Sequence, residues 1–456
     1  MSGSRYGYAA LARLAWPVVL SRSAQAVVGF SDALMTASLG EDALAATTAG
    51  SMNIMCLAIL PIGTAYIVQS FASQLSGKGD LDGARRYGSY GLVLSALAGL
   101  VFAALIPWVG SVLEHLHYDP AVKVAMADYL SIRLMSVAAI VGIEVVGNWY
   151  AGLGNTRFAM VAAMLTMVCN VGLNWLLIGG NMGFPALGVS GAAWASVMAS
   201  VVGFVLLLGL YLAKVGIPAP EGAPREPEPA KPAHVEFARM LRFGIPNGLN
   251  WFLEFAAFMF FVNVVVADLG TVATAALLAT VQVNSVSFMP AFGLSSAGAI
   301  LVGKAIGSDQ RDEVPSILKR TLSTTCAWQL SVGVVYLLIP GTIMGLFAPE
   351  GAGDSAEIVA VGATALALSA AWQLFDAITM SVSEALRAAG DTAFSLYARL
   401  AVAWLLFVPG SYFAITVSGG GPNAAILAVV AYLAVLSAVM GWRFRTGKWR
   451  RIDLTG

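Results

Sequence analysis

Residues 88–112 and 187–213 each contain enough apolar residues to cross a lipid bilayer and not one charged side chain. About 20 such residues in helical form span the ~30 Å of hydrocarbon in a membrane. Lipid offers no water to exposed amides, so a spanning backbone must close its hydrogen bonds internally, as a helix or a sealed barrel. These runs show no period-two alternation, which leaves the helix. Twelve runs of this kind lie near 15–39, 45–75, 88–112, 124–151, 157–180, 187–213, 241–267, 272–303, 318–346, 357–386, 393–416 and 422–442. Composition agrees: 11% of the residues are charged and 58% hydrophobic, against about 25% charged in a soluble domain. So few charges cannot cover a soluble surface. The expected class is an all-α membrane protein with twelve transmembrane helices.

Basic residues orient the spans. Lys123 alone falls in a connection after an odd-numbered span, and Arg22, Arg133 and Arg399 lie within spans. The rest of the 25 lysines and arginines sit at the N-terminus, after even-numbered spans or in the C-terminal tail, which places both termini in the cytoplasm. Ala24-x-Ala26 resembles a cleavage site, but Arg22 interrupts the apolar region before it, so the first span is expected to be retained. The connection VGIPAPEGAPREPEPAKPAH is proline-rich and charged, an extended and solvated tether. It divides the chain into an N-lobe (1–213), a linker (214–240) and a C-lobe (241–456). The halves repeat. LPIGTAYIVQSFASQLSGKGDLDGARR at 60–86 parallels MPAFGLSSAGAILVGKAIGSDQRDEVP at 289–315, and AGLGNTRF at 151–158 parallels RAAGDTAF at 387–394. Six spans separate each pair, so the two bundles share one orientation. Tethered, like-oriented bundles suit alternating access around a central site.

Acids inside spans are the candidate functional groups, because an ionised carboxylate at mid-bilayer costs ~2.5–3.5 kcal/mol or more unless paired, hydrated or ion-bound. Glu254 interrupts WFLEFAAFMFF in the seventh span, and Asp376 lies in the tenth, Asp32 in the first and Glu144 in the fourth. Arg22 and Arg133 are available to the first-half acids, whereas no central cation is apparent in the second half. Glu254 and Asp376 are left for a proton or a small cation such as Na+, the alternative being a hydrogen-bonded packing role. Glu384 lies one turn before Arg387, the spacing of a local ion pair. Asn170 and Asn174 share a helix face, so they can share a carboxylate or a cation with Asp32, or act as glue between helices. Phe258 and Phe261 share the face of Glu254, and Trp372 lies one turn before Asp376. Together they form either a π-rich wall for flat or cationic substrates or a lipid-facing stripe.

Cys56, Cys169 and Cys326 fall in apolar segments and are expected as small buried hydrophobes without a disulfide. His115 and His117 stand in an outer loop without acids or cysteines around them, a poor metal site. The chain has no Walker, HExxH or G-x-S-x-G motif, so no enzyme activity and no cofactor are expected. Energy must come from an ion gradient or an unseen partner; one charge yields ~2.3 kcal/mol per 100 mV.

The fragments AWPVVLSRSAQ, FSDALMTASLG, SQLSGKGDLDGARR, GLGNTRFAM, NVGLNWLLI, LGVSGAAWAS, FGIPNGLNWFLEF, WQLFDAI and LRAAGDTAF run over nearly the whole length. Their order, spacing and duplication resemble the multidrug and toxic compound extrusion (MATE) family, in particular its NorM-type branch. The resemblance implies a V-shaped pair of six-helix lobes in the bacterial inner membrane, working as a monomer. It implies export of drugs or toxic, amphipathic, mostly cationic organic compounds in antiport with Na+ or H+. It places the first-span acid on Asp32, the fifth-span polar pair on Asn170 and Asn174, and the sixth-span hydroxyl on Ser196. The second-lobe acids, with a possible Na+ site, fall on Glu254 and Asp376, and nearby polar positions on Gln282 and Asn284. Trp372 stands where a tyrosine is usual in relatives with a described cation site. Glu144 lies outside the pattern, and LRAAGDT replaces the commoner LRGxGDT. A flippase of a lipid-linked sugar or lipid is the competing expectation, but it calls for two more spans and a cationic cleft. Nucleic acid is not an expected partner.

Overall fold

The structure, a computed structural model, describes residues 5–115, 118–217, 231–347 and 355–456. His117 and most of the proline-rich linker lie outside these residues. Every regular element among the described residues is helical. Helix α1 spans Tyr8–Ala37, α2 Glu41–Lys78 and α3 Leu81–Glu114. Helix α4 is a pair bent by 46°, Pro120–Leu134 and Val137–Gly152. Then follow α5 (Arg157–Gly179), α6 (Gly188–Leu212), α7 (Ala233–Leu269), α8 (Thr271–Gly307), α9 (Arg311–Leu338), α10 (Ser355–Ala388), α11 (Thr392–Val417) and α12 (Pro422–Arg445). Ten of these are long and apolar enough to cross a membrane, and the bent α4 makes an eleventh. The remaining helix, α1, has the length, but Arg22, Gln25 and its serines dilute its apolar character. The twelve helices match the twelve apolar runs.

Two compact units result. The first contains Trp16–Gly248, and the second joins Leu249–Leu454 to residues 5–15. The division falls inside α1 and α7 because packing, not the tether, decides it. In the first unit, Gly244 and Gly248 make a small-xxx-small stripe that lets α7 approach α2. A Cβ on Gly248 would lie 2.4 Å from the Leu60 carbonyl and 2.5 Å from the Thr64 hydroxyl. The Asn247 amide donates to the Gly63 carbonyl at 2.7 Å, and Arg86 donates twice to Glu236, at 3.0 and 3.3 Å. In the second unit, Arg320 donates to the Tyr6 carbonyl at 2.7 Å, and the Tyr6 hydroxyl donates to Gln310 at 2.9 Å.

The internal repeat is visible in the helices. Helices α2 and α8 run for 38 and 37 residues and carry Pro61 and Pro290 within them. The turns that follow α4 and α10 place Gly154 and Gly390 at φ 90° and 89°, a region that a side chain disfavours. The three cysteines are unpaired as expected, but they are half-buried on the helix faces rather than enclosed. Two helices contain π-helical segments, at residues 261–266 of α7 and residues 401–407 and 413–417 of α11. Such π segments often accompany functional positions.

Candidate functional site

In the first unit, α1, α5 and α6 converge on Asp32. The Asn174 amide donates to Asp32 Oδ1 at 2.5 Å, and the Ser196 hydroxyl donates to Oδ2 at 3.1 Å. Asn170 supports both, donating to the Ser196 hydroxyl at 3.1 Å and accepting from Asn174 at 3.2 Å. Both asparagines are fully buried. The i, i+4 spacing on α5 makes this possible, since it stacks two amides on one face. The donors to Asp32 are neutral, and Arg133 acts on it only electrostatically. Asn174 Oδ1 is buried without a hydrogen-bond partner. The carboxylate thus has neutral donors, a free amide oxygen beside it and the charge of Arg133 within electrostatic range. Four residues that the sequence singled out therefore meet in one place.

Glu144 has a different setting. Arg22 donates to its two carboxylate oxygens at 2.9 and 3.0 Å, a fork-to-fork pairing. Gln25 and Asn148 add amide bonds at 3.3 and 3.2 Å. Sequence reasoning offered Arg22 as a partner but missed the two amides. Their signal was spacing: Gln25 lies three residues after Arg22, and Asn148 four after Glu144.

In the second unit, the expectation that no central cation reaches Glu254 is corrected. Arg399 of α11 forms an ion pair with Glu254 of α7. Hydropathy places helix ends but not the relative heights of neighbouring helices, and a long arginine side chain spans the difference. Asp376 lies within electrostatic range of both Glu254 and Arg399, and the Gln329 amide donates to its Oδ2 at 3.4 Å. The Tyr432 hydroxyl bonds Arg399.

The remaining candidates divide. Asn284 is buried, donating to the Thr280 carbonyl and the Ser369 hydroxyl while accepting from Gln373 at 2.5 Å. Gln282 is exposed on another face of α8. Trp372 is buried. Phe261 is packed inside the unit with its ring centroid 5.0 Å from that of Phe407, which in turn lies 4.9 Å from Tyr432. Phe258 is half-buried. Among the described residues, no three histidine, cysteine, aspartate or glutamate side chains gather as a metal site.

Comparison with known proteins adds a family. The MatE family model matches residues 17–176 and 246–413. A probable multidrug resistance protein NorM of Rhizobium meliloti is 26% identical over 429 residues, covering 94% of this chain and 91% of that protein. Its counterpart in Pseudomonas putida is 26% identical over 448 residues, covering 98% and 95%. Among solved structures, a MOP superfamily transporter from Pyrococcus furiosus superposes with a TM-score of 0.86 at 20% identity, covering 97% of this chain and 96% of that one. A MATE protein in complex with MaL6 superposes with 0.85 at 21% identity, covering 97% of each chain. At such identities the structural likeness concerns the fold.

Proposed function

The chain belongs to the MatE family, and from that premise we propose that it is an integral-membrane multidrug efflux transporter. It exports amphipathic, mostly cationic organic compounds in antiport with H+ or Na+, by alternating access of two helical units. The observation that carries this reading is the Asp32 site. A carboxylate placed inside a membrane helix and held by Asn174 and Ser196 has a charge that costs energy until a cation meets it. An ion entering from outside neutralises it, and the ion's release to the cytoplasm restores the charge. Each charge that falls through the membrane potential supplies ~2.3 kcal/mol per 100 mV. Asp376 provides a second such acid in the other unit. The basic connections support cytoplasmic termini, and the curated bacterial relatives support an inner-membrane location.

The family transports rather than transforms, and the candidate residues hold and exchange ions without altering the transported compound. The test uses purified protein in proteoliposomes with ethidium as the transported cation. Imposing a proton gradient and a sodium gradient separately should move ethidium under at least one of them. Absence of movement under both would overturn the proposal.

A further inference from the structure

We propose that Arg399 is the resident cation of the second unit and excludes Na+ from the Glu254–Asp376 pair. This rests on the reading of the chain as an ion-coupled exporter and says which ion its second acidic site refuses. Sequence considered alone leaves two carboxylates there for a metal cation to bridge. The structure pairs one of them, Glu254, with a guanidinium whose charge also reaches the other, Asp376.

Anchoring comes first. The Arg399 side chain is 9% exposed, paired with Glu254 and hydrogen-bonded to Tyr432, while its Nε is buried without a hydrogen-bond partner. A guanidinium does not give up its proton in a protein, so this positive charge is permanent. Na+ set between the two carboxylates would have to displace it or sit beside a like charge.

Few oxygens around Asp376 are free for a metal. Hard cations take oxygen. The Gln329 side chain gives its amide N–H to Asp376, and its buried oxygen, without a hydrogen-bond partner, is a neutral oxygen left there. The Asn284 oxygen is taken by Gln373. Trp372, one turn before Asp376, offers only an N–H. The groups around Asp376 are Glu254 from α7, Arg399 from α11, Tyr432 from α12 and Gln329 from α9, while the polar groups of α8 here, Asn284 and Ser287, are uncharged. With both acids ionised, the guanidinium leaves a single negative charge, where the acids alone would leave two.

The test is equilibrium binding of radioactive Na+ to purified protein in detergent. It is done in an Asp32→Asn background, so that the first unit's carboxylate does not contribute. The background protein should show no saturable Na+ binding. Adding Arg399→Gln should create one saturable site, and adding Glu254→Gln to that variant should abolish it. Arg399→Lys, which keeps a cation, should stay silent. Saturable binding in the background protein that Asp376→Asn removes would overturn the proposal without recourse to any Arg399 variant. So would a monodisperse Arg399→Gln protein that binds no Na+. Failure of ethidium to move under either gradient contradicts the exporter reading instead, and leaves the binding result standing.

Discussion

Arg399 of α11 holds the carboxylate of Glu254 on α7, so the acid that looked stranded in an apolar run is one half of an ion pair. Both helices turn π-helical nearby, at 401–407 and 261–266. The pair therefore joins two irregular helices within one unit, and its partner Tyr432 extends it to α12. Among the described residues, Asp376 has no ion-pair partner at hydrogen-bonding distance and is instead contacted by the Gln329 amide.

The Arg22–Glu144 pair is mostly enclosed, with side chains 18% and 10% exposed. Arg22→Met strands the glutamate, and breaking one side of a buried pair costs ~3–5 kcal/mol. Thermal unfolding of the detergent-solubilised variant should shift clearly downward. Arg22→Met combined with Glu144→Met removes both charges and should recover most of the loss. A double variant no better than the single one would contradict a pairwise role.

Gly248 packs directly on α2, with no space for a side chain. Overpacking of this sort costs ~1–3 kcal/mol. Gly248→Val should lower the thermal stability of the whole protein, while Gly209→Val, where a Cβ meets nothing within 4 Å, should not. Equal effects at both positions would remove the close approach as the reason for the glycine.

Asn174 donates to the charged Asp32, and hydrogen bonds to charged groups are worth ~1.5–3 kcal/mol. Asn174→Leu should reduce gradient-driven ethidium transport by roughly tenfold or more, since ~1.4 kcal/mol is a factor of ten. Expression and thermal stability should change far less than for Arg22→Met. Wild-type transport rates in this variant would separate Asn174 from ion coupling.

The Asp32 cluster was legible because its signal is local: two amides at i, i+4 and a hydroxyl stand in helices that are otherwise apolar. Their resemblance to a family pattern pointed to the same residues. The Arg399–Glu254 pair was not legible, since it depends on the relative heights of α7 and α11, which no single helix encodes. Phe261 shows a second limit. A period of 3.6 residues sets it on the face of Glu254, and both do meet α11, but the period does not tell that the ring is packed inside the unit against Phe407. Gln282 and Asn284 show a third: two residues apart on a helix they point in nearly opposite directions, so one is exposed and the other buried. The compact units were also hidden, because the tether divides the sequence at a point where the packing of α1 and α7 does not divide the fold.

The most direct measurement is ethidium transport by Asp32→Asn and Asp376→Asn proteins, reconstituted side by side with the wild type under imposed gradients. Each variant should fold, and each should lose gradient-driven transport. Undiminished gradient-driven transport in both would contradict the claim that these two carboxylates couple ion entry to drug export.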